Sequence, residues 1–255
     1  MKKYLSIALI AACSTTAFAH SLWVIGDNNK DTVSVNLIYG HDFPEPEIIP
    51  EERLSIFEAP VIHGENFKEV LKQAGAENYH YEGKAKLKEG TYLLSAYYQP
   101  TSWVKDDAGK WYMNKTRKDI KNAVLCETAV MQGKSILTVG NDDGSYAQTV
   151  LGKGIEITPL ANSNALKVDA TIPFRLTKNG EPVADAVILG SYDGYGFSGH
   201  DIPMPFYAKT NKKGEFEFKA LKPGLWYLTT ELEEDSGNAD CEIDFTEVTL
   251  TFEVK

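Results

Sequence analysis

The sequence predicts a mainly β chain, an N-terminal β-rich domain followed by a C-terminal β-sandwich, with one or two short helices. Three observations carry this expectation. Apolar and polar residues alternate along most of the chain, as strands with one wet face require. Turn signals such as Asn179-Gly180, Lys213-Gly214 and Pro223-Gly224 separate the alternating runs. Helical spacing is confined to two short stretches.

The chain opens with a secretory signal. Lys2 and Lys3 form a charged start, Tyr4 to Ala12 an apolar core, and Ala17-Phe18-Ala19 a small-x-small cleavage pattern. Residues 1–19 are therefore expected to be removed, leaving His20 as the mature N-terminus of a periplasmic protein. A competing reading takes Ile10-Ala11-Ala12-Cys13 as a lipobox, which would lipidate Cys13 and retain residues 14–19. The apolar core is too short to span a bilayer, and later apolar runs such as Tyr92 to Tyr98 are of strand length. The chain is thus not expected to be an integral membrane protein.

The strands follow in order. Val33, Val35, Leu37 and Tyr39 share one face of a half-buried strand that ends at Gly40. Thr91 to Tyr98, Ile136 to Val139 and Gln148 to Ile157 are further candidates. In the last hundred residues Ile172 to Leu176, Val187 to Tyr192, Glu215 to Lys219, Leu225 to Glu231 and Val248 to Val254 are short strands between turns. Phe67, Val70, Leu71 and Ala74 give helical spacing on Glu65 to Ala74, closed by Gly75, and Thr116 to Val124 is a second helix candidate. Residues 101–120 read as a long loop. A boundary near Pro159 to Asn164 divides the mature chain into 20–160 and 161–255, the second of immunoglobulin or transthyretin type.

Composition narrows the function classes. Of 26 basic and 36 acidic residues, the signal takes Lys2 and Lys3, leaving 24 against 36 and a formal charge of −12. Such a chain is a poor partner for nucleic acid or anionic membranes. Cys13 leaves with the signal, and the remaining Cys126 and Cys241 are expected to form a disulfide in an oxidising compartment.

Five histidines could carry chemistry: His20, His41, His63, His80 and His200. A terminal His20 would offer its α-amine and its imidazole to one metal, and His41 a second imidazole, a nitrogen set suited to Cu(II) or Ni(II). Gly40 can turn the backbone so that His41 projects from the sheet's rim, with Asp42, Glu45 and Glu47 near it. His200, in a glycine-rich loop, and Asp42 are further candidate ligands. His63 and His80 read as solvated. The bland alternative makes His20 an accident of cleavage and His41 a surface residue. Catalytic signatures such as a Gly-x-Ser-x-Gly elbow, a phosphate-binding Gly-x-x-x-x-Gly-Lys loop or a His-Glu-x-x-His helix are missing. The aromatic residues Tyr97, Tyr98, Trp103, Trp111 and Tyr112 read as packing, with stacking on a sugar ring as the alternative.

Several segments together resemble a known family. Ala19-His20-Ser21-Leu22-Trp23-Val24, Tyr39-Gly40-His41-Asp42-Phe43-Pro44, Trp103-Val104-Lys105, Leu151 to Leu160, Asn179 to Val187, Thr210 to Phe216 and Pro223 to Tyr227 are similar to the periplasmic proteins found beside energy-coupling-factor nickel and cobalt transporters, the NikK-type accessory component. The resemblance implies a non-enzymatic protein that captures Ni(II) or Co(II) and delivers it to a membrane importer. It also implies histidines at the mature terminus and after Tyr39-Gly40. Two rival functions remain: a histidine-brace copper oxidase acting on a polysaccharide, with Cu(II) on His20 and His41, and an extracytoplasmic interaction or adhesion module.

Overall fold

The computed structural model describes residues 20–28, 31–195 and 204–255, and over these the chain is mostly strand. Strands β1 (Ser21–Asp27) and β2 (Ser34–Gly40) pair antiparallel. A 3-10 turn at Glu51–Ile56 leads into β3 (Phe57–Gly64), followed by the short strands β4 (Phe67–Val70), β5 (Lys72–Gln73) and β6 (His80–Glu82). Strand β7 (Gly90–Asp106) turns back as β8 (Trp111–Met113), and β9 (Ala123–Val139) runs beside β7. Then come β10 (Ile155–Pro159), β11 (Thr171–Lys178), β12 (Glu181–Pro182) and β13 (Val187–Tyr192). The last four are β14 (Phe206–Lys209), β15 (Glu215–Lys219), β16 (Gly224–Asp235) and β17 (Ile243–Val254).

These strands form three sheets. The first has the order β1-β2-β6-β5, and the third joins β10, β11, β12 and β15. Between them lies a nine-stranded sheet of order β14-β13-β16-β17-β9-β7-β3-β4, with β8 on β7. Its centre is the parallel pairing of β17 with β9, from Ile243 opposite Glu127 to Thr251 opposite Ser135. Strands from both sides of residue 160 are therefore hydrogen-bonded in one sheet.

Alternation along the central strands decides which outer sheet covers which face. On β17, Val248, Leu250, Phe252 and Val254 join the core under the third sheet, while Phe245, on the opposite parity, joins the core under the first. On β7, Leu93 belongs to the former and Leu94, Ala96 and Tyr98 to the latter. The two outer sheets thus pack on opposite faces of one shared sheet, because successive side chains of a strand point to opposite sides. Strand β1 crosses the central sheet closely. A Cβ on Gly133 would stand 3.2 Å from the Leu22 carbonyl oxygen, and the Thr249 hydroxyl donates to that oxygen at 2.6 Å. On the other face, the buried Lys134 ammonium donates to Glu156 at 3.1 Å and to the Thr158 hydroxyl at 2.9 Å, tying β9 to β10.

The expected disulfide is present. Cys126, on β9, and Cys241, just before β17, are bonded with Cα atoms 4.6 Å apart, and both pack on Val104. The strand expectations hold for β2, β11, β13, β15, β16 and β17, and Asn179 and Gly180 take the positive φ values of 52° and 86° that a tight turn requires.

Four expectations are corrected. Residues 65–74 are not a helix but β4 and β5, because Phe67 and Val70 stay 40% and 58% exposed and the backbone instead pairs with the edge of β3. Thr116 to Val124 is not a helix but a run of turns that enters β9 at Ala123, held by the Arg117 guanidinium on Glu242 and on the carbonyls of Ala123 and Val124. Residues 101–120 are not one long loop: a bulge after Tyr98 lets β7 continue to Asp106 and turn into β8. Gln148 to Ile157 is strand only from Ile155, since residues 145–148 form a 3-10 turn.

Candidate metal centre

The β1–β2 register builds the site. Ser21 stands opposite Gly40 as the last ladder pair, so the next residues outward, His20 and His41, meet at the open end of the hairpin. Their imidazole centroids are 4.1 Å apart and the rings are tilted by 50°. The other face of His20 stacks on Tyr39, at 4.8 Å and 17°. Tyr39 is fixed in turn by Arg53, whose Nη1 donates to the phenol oxygen at 3.4 Å. The guanidinium lies 5.9 Å from the Tyr39 ring and 5.4 Å from the Trp103 ring.

Gly40 makes room for an acid. A Cβ at that position would stand 2.7 Å from Glu47 Oε1, and the same oxygen lies 4.0 Å from His41 Nδ1. Glu47 is thus the carboxylate that the loop returns to the histidine pair. Asp42 lies in an exposed turn, its carbonyl accepting from the Glu45 amide at 2.8 Å. Among the described residues, no group of three or more His, Cys, Asp or Glu side chains is gathered closely enough to hold a metal. Side chains therefore supply two nitrogen donors here. His200 lies outside the described residues.

Burial, then the like charges of His41 and Arg53, hold the His20 imidazole down to about 4, against a weaker upward pull from Glu47. The ring is therefore neutral at physiological pH, the form that donates a lone pair to a metal.

Behind the pair, Trp23, Phe43 and Tyr227 pack ring against ring, with Trp23 5.6 Å from Phe43 and 5.4 Å from Tyr227. Met204 packs on the same group. Glu247 lies beneath β1 on the central sheet, 2% exposed, and neither carboxylate oxygen has a hydrogen-bond partner of good geometry. Burial pushes its carboxyl up to about 8; the Ser21 hydroxyl and the Leu22 amide offset only part of that, and Glu231, directly opposite on β16, adds to it. Alternation along β17 sets Glu247 on the face opposite Val248, and nothing in that alternation signals that β1 covers it.

The other histidines are held rather than solvated, a further correction. His63 Nε2 is 3.0 Å from the Ser95 hydroxyl, and His80 Nδ1 is 2.9 Å from Asn36 Oδ1 with Nε2 3.5 Å from Glu82. Each sits on a strand that a neighbouring strand covers. Of the aromatic group, Tyr98 and Trp103 are core residues at 0% and 7% exposure, and the Trp103 indole donates to the Tyr98 hydroxyl at 2.6 Å.

Fold and site define a disulfide-bonded protein of sandwiched β-sheets with a paired-imidazole rim. The chain belongs to the DUF4198 family, a domain of unknown function, which matches residues 17–234. No curated protein matches the chain. Among solved structures, the D0-D1 domain of Intimin is similar at 11% identity and a TM-score of 0.22, covering 90% of this chain and 96% of that one. The D00-D0 domain of Intimin is similar at 16% identity and a TM-score of 0.19, covering 88% and 98%. Likenesses this distant do not bear on function.

Proposed function

We propose that this is an extracytoplasmic protein that binds a transition-metal ion, Ni(II) or Co(II), and passes it to a membrane importer. The observation that carries the reading is the 4.1 Å approach of His20 to His41 at the end of the β1–β2 hairpin. An ion bonded at about 2 Å to one nitrogen of each ring needs the two imidazoles side by side, as their 4.1 Å centroid separation places them. Cleavage after Ala19 would free the His20 amine as a third nitrogen, giving a set that favours Ni(II), with Cu(II) as the alternative. Glu47 would neutralise part of the ion's charge. A disulfide and a secretory leader both fit an oxidising compartment outside the cytoplasm. No helix among the described residues is long and apolar enough to cross a membrane.

The proposed role is binding rather than catalysis. The copper-oxidase alternative drew its sugar surface from the aromatic group, and two of those rings, Tyr98 and Trp103, are packed in the core. The deciding experiment compares mature protein beginning at His20 with a form carrying one extra alanine before it, by nickel calorimetry. The extension is expected to weaken binding strongly, because it converts the amine to a peptide nitrogen. Equal affinity would remove the amine from the site.

A further inference from the structure

On the face of the central sheet opposite β1 lies a cavity of about 180 Å³, between strands β3, β7 and β9 and the segment that enters β10. Its apolar lining is Val61, Leu151, Ile155 and Val248. Its polar lining includes His63, Ser95 and Lys68, with Ser95 directly opposite Val61 in the β3–β7 ladder. His63 Nε2 meets the Ser95 hydroxyl at 3.0 Å, and Lys68 stands directly opposite His63 in the β3–β4 ladder.

The charges around this cavity do not cancel. Three lysines and two glutamates line it, and each glutamate is already paired. Glu156 takes the ammonium of Lys134 at 3.1 Å, and its oxygens also accept from the Leu151 and Gly152 amides at 2.9 and 2.6 Å. Lys134 spends its remaining protons on Thr158 at 2.9 Å and the Thr149 carbonyl at 3.4 Å. Glu58 is held by both its oxygens on Lys153, at 2.9 and 2.8 Å, with the same ammonium 3.4 Å over the Tyr97 ring. Lys68 has no carboxylate within ion-pair distance among the described residues, so the cavity carries one positive charge in excess. His63 is held below its usual range by burial first and then by Lys68, against an upward pull from Glu156, with Lys134 adding a smaller lowering. Lys68 is exposed at the mouth of the cavity, where a bound anion would receive a charge-assisted hydrogen bond from its ammonium.

We propose that this cavity binds a short-chain aliphatic carboxylate. The carboxylate lies at the Lys68, His63 and Ser95 end, and the hydrocarbon tail lies along Val61, Leu151, Ile155 and Val248. A ligand of a handful of carbon atoms suits a cavity of about 180 Å³. The half-exposed Lys153–Glu58 pair marks the side that meets solvent, and Lys153 sits between Gly152 and Gly154, both at positive φ (77° and 62°). The site is separated from His20 and His41 by the thickness of the central sheet, and its occupancy does not depend on metal.

The test is calorimetric titration of the mature chain with isovalerate and with its neutral counterpart isovaleramide. Saturable binding is expected, with the acid at least about tenfold tighter than the amide, a difference of about 1.4 kcal/mol. Val61→Phe fills the apolar end and is expected to abolish binding of both. Lys68→Gln, on an exposed edge strand where folding is not threatened, is expected to bring the acid down to the affinity of the amide. Three results overturn the proposal: no saturable binding of isovalerate at millimolar concentration, equal affinity for acid and amide, or undiminished binding in Val61→Phe.

Discussion

The imidazoles of His20 and His41 face each other across the first position beyond the β1–β2 ladder, 4.1 Å apart. Neither ring alone makes a site; the register makes it. If they share an ion, His41→Ala is expected to weaken nickel binding by at least about 100-fold, since loss of outer partners alone costs about 10- to 100-fold. His80→Ala, on the neighbouring β6, is expected to leave it unchanged. Competition calorimetry against a chelator of known affinity reads both, and equal losses would detach the effect from the pair.

Glu247 makes stability depend on pH. Its folded carboxyl titrates near 8, far above the ordinary range, so the native state keeps a proton that the unfolded chain releases. The penalty is absent below about pH 4, grows as pH rises through the window up to about 8, and is complete above it. Between pH 5 and 8 the wild type is expected to lose roughly 3 kcal/mol more than Glu247→Gln. Urea unfolding at the two pH values measures this; parallel losses would show that the carboxyl ionises freely in the fold.

The Cys126–Cys241 bridge closes a segment with a sequence separation of 115 residues and anchors the start of the parallel β9–β17 pair. Chain-entropy reasoning puts its contribution at about 4 to 5 kcal/mol for a loop of this length. The double substitution Cys126→Ala, Cys241→Ala is expected to lower unfolding free energy by that order, as should reduction of the wild type. Chemical denaturation with and without reductant provides the comparison.

Lys134 and Glu156 are a buried ion pair whose side chains are 4% and 6% exposed. Breaking such a pair from one side leaves an uncompensated charge and costs about 3 to 5 kcal/mol. Lys134→Met is expected to fall in that range. The double variant Lys134→Met, Glu156→Gln should lose less than the sum of the single changes, and a double-mutant cycle of thermal or urea unfolding tests this.

Gly133 couples the central sheet to the proposed metal site. Its missing Cβ is what lets the β1 backbone pass over β9, with Leu22 O, Trp23 C and Val24 N at 3.2, 3.3 and 3.4 Å from the Cβ position. Gly133→Val is expected to cost about 1 to 3 kcal/mol by overpacking. Because β1 carries His20, metal affinity should fall with it, whereas isovalerate binding on the other face should suffer less. Unchanged nickel binding in a folded Gly133→Val protein would show that β1 is not positioned by this crossing.

Much was legible in the sequence alone, and for a local reason. Alternation in β2, β11, β13, β15 and β17 records which side chains leave water, and Asn179-Gly180 records a backbone that must reach positive φ. The two cysteines left after the expected leader pointed to each other, and His20 and His41 were marked by their positions after a cleavage pattern and after Tyr39-Gly40. Periodicity misread Phe67 to Ala74, because apolar spacing presumes burial and Phe67 and Val70 remain exposed on an edge strand.

What only the tertiary structure decided is pairing at a distance. A strand's own pattern says that it has two faces but not which sheet covers each. Nothing within β9 or β17 announced that they would run parallel and join the two halves of the chain. The burial of Glu247 under β1, the pairing of His63 with Ser95, and the approach of Glu47 over Gly40 all depend on residues far apart in sequence. They follow from hydrogen-bond ladders and cross-sheet packing, which form between segments and leave no trace in either segment alone.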